Sequence, residues 1–170
     1  MNRIFLIGYM GSGKSTVGQL LATQLGYGFI DMDAHIEGKL FKTVSQIFAE
    51  LGEEQFRLLD AQCLHEVAEF DRVVISTGGG TPCFFDNMEF MNKQGLTVYL
   101  KLSSAELAER LELSHAYKRP LLAGRKGEEL KQFIAEGLTR REPFYSRAAY
   151  AVSGEIESTV AQICGLVESK

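Results

Sequence analysis

Near the N-terminus, Lys14 and Ser15 follow three glycines, Gly8, Gly11 and Gly13, in the order Gly8-Tyr9-Met10-Gly11-Ser12-Gly13-Lys14-Ser15. This order fits G-x-x-x-x-G-K-[ST], a loop whose successive backbone N–H groups wrap a polyphosphate. Glycine suits such a loop because it takes backbone angles closed to other residues and carries no Cβ. Lys14 is placed to put its ammonium on the β- and γ-phosphates, and the Ser15 hydroxyl to ligate Mg²⁺. Gly11, Ser12, Gly13, Lys14, Ser15 and Thr16 are therefore the expected nucleotide-binding residues.

Carboxylates come next. Asp31 and Asp33 form a D-x-D pair, which on an extended segment faces one way. One carboxylate could then stand on the magnesium side while the other takes a proton from an acceptor hydroxyl. The plainer alternative is an acidic helix cap after a strand. Guanidinium groups raise a similar choice. Arg57 falls off the apolar face of its helix, so it is either a solvated surface arginine or a ligand for an anion. Arg140 and Arg141, before Pro143, share that ambiguity. Arg119, in a basic stretch before Pro120, could reach transferring phosphates from a closing lid. Gly78, Gly79 and Gly80 either expose N–H groups to a ligand or form a tight turn.

The elements that must hold these groups alternate. Arg3 to Ile7 reads as a buried strand and Ser15 to Leu25 as a helix with Val17, Leu20, Leu21 and Leu25 on its apolar face. The phosphate loop thus ends at a helix N-terminus, where partial positive charge collects. Gly28 to Asp31 is a second strand, delivering Asp31 and Asp33 at its end. Thr43 to Gln46 is a capping box opening a helix to Leu51, and another helix runs from about Glu53 to Phe70. Val73 to Ser76 is a continuous apolar strand. Asp86 to Lys93 is a helix with Asp86 and Glu89 in capping positions, closed by Gly95. Thr97 to Leu100 is the fourth strand, and Ser103 or Ser104 caps a helix to about Leu111. The stretch from 112 to 127 lacks an apolar period and reads as a mobile lid. A helix from about Glu128 to Arg141, a fifth strand over Ala149 to Val152 and a helix from Ser158 complete the chain. This alternation implies an α/β fold of three layers, a five-stranded parallel sheet covered by helices on both faces.

The bulk numbers agree with one domain over residues 1–170. A formal net charge of -4 argues against a general nucleic-acid binder. Cys63, Cys83 and Cys164 are odd in number and contain no C-x-x-C pair, which suits a reducing compartment and excludes a Cys-rich zinc site. The apolar run before Gly8 is too short for a signal-peptide core, and none approaches a membrane span. A cytoplasmic protein with no membrane partner is expected.

Together these residues resemble the shikimate kinases, and the resemblance covers nearly the whole chain. Its specific parts are Asp31-Met32-Asp33, Phe56-Arg57, Gly78-Gly79-Gly80, Lys118-Arg119-Pro120-Leu121-Leu122, and Arg141 before Pro143 and Tyr145. The resemblance implies a P-loop kinase that moves the γ-phosphate of ATP to the 3-hydroxyl of shikimate, on the route to chorismate and aromatic amino acids. It puts Asp33, Arg57, Gly78, Gly79, Gly80 and Arg141 on shikimate, with Asp33, Lys14 and Arg119 catalytic. Ser15 and Asp31 fall on the magnesium side, Arg119 on ATP, and Arg110 near the adenine. A monomer acting on shikimate and ATP is expected. One departure is Asp60, three places after Arg57, where the family usually has Glu.

Three rivals are weaker on the residues. A nucleoside monophosphate acceptor would bring negative charge onto Asp33, which repulsion disfavours. Gluconate also carries a carboxylate and hydroxyls, and only the Arg57, Gly78 to Gly80 and Arg141 set speaks against it. A GTP-dependent switch would need an N-K-x-D segment after a strand. Asn92-Lys93-Gln94-Gly95 precedes the fourth strand and lacks the Asp.

Overall fold

A computed structural model describes residues 2–114 and 124–170. Its five strands are β1 (Arg3–Ile7), β2 (Gly28–Asp31), β3 (Val73–Ser76), β4 (Leu96–Leu100) and β5 (Tyr150–Val152). They form a single parallel sheet in the order β2-β3-β1-β4-β5. Side chains of β1 alternate between two cores, as strand geometry requires. Phe5 and Ile7 join the core that holds Met32, Ile47, Phe56, Leu64 and Ile134. Ile4 and Leu6 join the other, with Val17, Leu21, Val98, Val160 and Ile163. The sheet is therefore covered on both faces, and β1, β3 and β4 are buried along almost their whole length.

The helices are α1 (Lys14–Leu25), α2 (Met32–Leu40), α3 (Val44–Val67), α4 (Asn87–Gln94), α5 (Ser104–Leu113), α6 (Gly127–Tyr145) and α7 (Ile156–Glu168). The capping box at Thr43 forms in full, with the Thr43 hydroxyl accepting from Gln46 N–H and the Gln46 side chain accepting from Thr43 N–H. The helix pair expected on either side of Gly52 is present as α3, interrupted where Gly52 takes φ 80° and ψ 170°.

Several expectations need correction. The extended-segment argument for Asp31 and Asp33 fails, because Met32 begins α2, a helix with too little apolar periodicity to announce itself. Leu20 is not on the buried face of α1; it is exposed, and Gly18 and Ala22 are buried beside Val17 and Leu21 instead. Asp86 stands at the N-cap of α4, but its side chain accepts no capping hydrogen bond. The helix expected to end at Arg141 continues through Pro143 to Tyr145. Among the described residues, no helix is long and apolar enough to cross a membrane.

The sheet sets the site by register. Asp31 pairs with Ser76, and Ser76 pairs with Leu6, so the ends of β2, β3 and β1 lie side by side. The α2 start, the glycine turn after β3 and the phosphate loop all leave from this one edge, where open α/β sheets bind ligands.

Candidate active site

The loop from Gly8 to Gly13 is shaped by its own backbone. Gly11 and Gly13 take φ 82° and 92°, in the left-handed region that penalises any Cβ, and Gly13 is the N-cap of α1. The N-terminal N–H groups of α1 therefore open onto a cavity of about 560 Å³ that Gly11, Gly13, Lys14, Ser15 and Thr16 line. Lys14 Nζ donates to the carbonyls of Gly8 at 2.6 Å and Tyr9 at 3.2 Å, which keeps the ammonium over the loop. Arg110 braces the loop from α5, donating to Ser12 O at 3.0 Å and to Gly154 O at 3.5 Å.

Asp31 does two jobs. Its Oδ2 accepts from Ser15 Oγ at 2.7 Å, and its Oδ1 accepts from Ala34 N–H at 3.1 Å as the cap of α2. The helix-cap reading therefore holds for Asp31, and the same carboxylate also accepts a hydrogen bond from the phosphate-loop serine. Asp33 follows in the first turn of α2 and lines the same cavity. Burial, and then the neighbouring Asp31 carboxylate, push its pKa up, against the pull of Lys14 and Arg57.

A second cavity of about 260 Å³ adjoins the first, and the two share Met10, Asp33, Val44, Ser45 and Gly79. Arg57 and Arg141 line it from α3 and α6, and Gly78, Gly79 and Gly80 from the turn after β3. Arg57 is not a surface residue, since its side chain is only 13 % exposed. Its guanidinium lies against Phe84, Phe56 and Phe48, with ring centroids at 4.1, 5.3 and 5.8 Å. A Cβ on Gly80 would stand 2.6 Å from Arg57 Nη1, so a side chain there would displace the guanidinium from its present place. Burial lowers the Arg57 pKa, and Asp60 and Glu53 oppose that pull. Arg141 lies over the Tyr9 ring, 5.2 Å from its centroid.

Asp60 lines the smaller cavity with Arg57 and is 1 % exposed. Neither of its oxygens has a hydrogen-bond partner among the described residues, although the Thr81 hydroxyl and Arg57 are near enough to favour the charged form. Burial wins, pushing its pKa to about 6.

The fold therefore gathers the expected residues in two groups that meet at Asp33. Gly11, Gly13 to Thr16 and Asp31 line the larger cavity, and Arg57, Gly78 to Gly80 and Arg141 the smaller; Ser12 is buried within the loop, and Arg110 bonds its carbonyl without lining either cavity. Arg119 and most of the expected lid lie outside the described residues. Sequence reasoning missed the aromatic seat of Arg57, the Tyr9 ring under Arg141, and the contact of Tyr145, whose hydroxyl donates to Gly79 O at 2.5 Å. The spacing of Arg141 and Tyr145, one helical turn apart, could have pointed to the last of these had α6 been read past Pro143.

Comparison with known proteins bears on the family of the chain. The shikimate kinase family model matches residues 10–168. The shikimate kinase of Parabacteroides distasonis is 61% identical over 155 residues, covering 91% of this chain and 89% of that protein. The crystal structure of the shikimate kinase from Bacteroides thetaiotaomicron superposes with a TM-score of 0.93 at 48% identity, covering 98% of each chain. A shikimate kinase from Acinetobacter baumannii, in complex with shikimate, superposes with a TM-score of 0.88 at 33% identity, covering 99% of this chain and 94% of that one.

Proposed function

The chain belongs to the shikimate kinase family, and from that premise we infer that it moves the γ-phosphoryl group of ATP to the 3-hydroxyl of shikimate. The observation that carries this reading is the meeting of two unlike cavities at Asp33. On one side lies a phosphate cradle at a helix N-terminus. On the other lie two guanidinium groups in a small pocket, the donors that a compact hydroxylated carboxylate needs.

The residues divide the work accordingly. Lys14 and the loop N–H groups hold the transferring phosphate and meet its charge. Ser15 Oγ and Asp31 Oδ2, 2.7 Å apart, are hard oxygen donors that fit Mg²⁺ shared with a nucleotide. When bound, the ion neutralises charge on the β- and γ-phosphate oxygens. Arg57 and Arg141 fork the acceptor's carboxylate, and the Gly78 to Gly80 turn offers N–H donors. Asp33 orients the acceptor hydroxyl and takes its proton as the new P–O bond forms. A carboxylate with a raised pKa is a better base than an ordinary aspartate, which suits this role. Arg110 stands on the nucleotide side, and the family resemblance assigns Arg119 to the phosphates of ATP. The chain works as a monomer in the cytoplasm.

ADP release with ATP and Mg²⁺, measured against shikimate, gluconate and nucleoside monophosphates in parallel, tests the reading. Turnover on shikimate alone is expected. Faster turnover on either rival would overturn it.

A further inference from the structure

Tyr145 is the last residue of α6 and is fully buried. Its hydroxyl donates to Gly79 O at 2.5 Å, across 66 positions of chain. One helical turn earlier, Arg141 Nη1 lies 3.1 Å from the place a Gly79 Cβ would occupy. Two side chains of one helix face therefore stand against Gly79, Tyr145 bonded to its carbonyl and Arg141 beside its Cα. The peptides here are trans, so a carbonyl fixed toward Tyr145 turns the Gly80 N–H the opposite way. Thr81 N–H is bonded to Gly78 O and Cys83 N–H to Gly80 O. Among the described residues, by contrast, the N–H groups of Gly79 and Gly80 donate to no protein acceptor, and both residues line the smaller cavity.

The geometry points to Tyr145 as a positioning residue for the acceptor: its hydroxyl holds the Gly79–Gly80 peptide in the orientation that leaves these N–H donors available to the ligand. Glycine needs such a restraint more than any other residue, because without side chains the turn has few conformations forbidden to it. Burial pushes the Tyr145 pKa up, so the hydroxyl stays a donor throughout the physiological range. The ring itself is seated by Tyr99, tilted at 47° with centroids 5.1 Å apart. Tyr99 sends its own hydroxyl elsewhere, to Glu142 Oε2 at 2.6 Å. The two phenols thus form a matched pair, packed on each other, of which only one touches the turn.

This inference rests on the acceptor pocket proposed above, and the pair supplies its test. Tyr145→Phe and Tyr99→Phe each remove one hydroxyl and keep the ring. For Tyr145→Phe, KM for shikimate is expected to rise about five- to ten-fold, the effect of one net hydrogen bond, with KM for ATP within about two-fold. Its kcat is expected to change less than its KM for shikimate. For Tyr99→Phe, both KM values are expected to stay within about two-fold. Wild-type kinetics in Tyr145→Phe, or equal rises in both variants, would overturn the positioning role and leave a general packing role. Arg141→Lys is run alongside. If that variant loses shikimate affinity while Tyr145→Phe does not, only the present inference fails; if neither does, the acceptor pocket itself is misassigned.

Discussion

From Gly8 to Thr16 one unbroken run of chain carries the proposed phosphate site, whereas the proposed acceptor pocket is drawn from four separate places. Asp33 comes from the start of α2, Arg57 from α3, Gly78 to Gly80 from the turn after β3, and Arg141 from α6. The loop is fixed by local backbone geometry, with Gly11 and Gly13 in conformations that only their own sequence allows. The pocket is fixed by packing: Arg57 is aimed by three aromatic rings and Arg141 by Tyr9, while the glycine turn is tied to Tyr145. A local site can be lost by one substitution and serves any acceptor. A packed site degrades by steps, and each step should be specific to the acceptor.

The largest expected effect falls on the loop. Lys14→Met should keep the fold and lower kcat by roughly 10³–10⁵, the range for a cation lost from a transferring phosphoryl group. Steady-state assays with circular dichroism as a fold control check this. Near-normal turnover would mean that the loop is not the reacting site.

Asp33 stands where the two sites meet, so its loss should resemble neither. Asp33→Asn is expected to bind ATP normally and to lose turnover by roughly 10²–10⁴, the span for a positioned acid–base group. Because burial raises its pKa, the acid limb of the wild-type rate profile should lie above pH 3.8. The rate falls as pH drops through that pKa, since the base becomes protonated. A rate profile in Asp33→Asn with the same limb would assign it to another group.

Asp60 sharpens the contrast, since it belongs to the packed site alone. Its folded pKa of about 6 lies above the ordinary 3.8, so the folded chain binds this proton more tightly than the unfolded one. That contribution is fully present below pH 3.8 and is lost as pH rises through about 6. Over that interval the carboxyl should account for a decline in stability on the order of 3 kcal/mol. Asp60→Asn should flatten the decline in urea unfolding measured at several pH values, and leave ADP binding unchanged. An unaltered pH dependence would show that Asp60 does not titrate in this range.

The same contrast explains what could be read in the sequence. Strand β1, the loop and α1 follow each other in a motif whose spacing is its structure, so that part was legible almost to the residue. The capping box at Thr43 and the apolar run of β3 were legible for the same local reason. Helix α2 was missed because its side chains are too mixed to show a period, and with it went the orientation argument for Asp31 and Asp33. The surface alternative for Arg57 stayed open because periodicity cannot reveal Phe48, which reaches it across the Gly52 break in α3, or Phe84, which comes from the segment after β3. Extension of α6 through Pro143 was hidden because a proline inside a helix removes a backbone hydrogen bond and so reads as a helix end, while the contacts that hold the last turn are not local. Here Tyr99 and Ser146 bond Glu142, and Tyr145 bonds the glycine turn.

The central claim is that Arg57 and Arg141 hold the acceptor's carboxylate in a pocket separate from the nucleotide. Calorimetric titration of Arg57→Lys and Arg141→Lys, each with shikimate and with ADP, tests it most directly. A lysine cannot reproduce the two-pronged guanidinium contact. Shikimate affinity should fall about ten-fold or more, the equivalent of roughly 1.5–3 kcal/mol for a charge-assisted contact, with ADP affinity within about two-fold. Equal losses for both ligands, or no loss for shikimate, would contradict it.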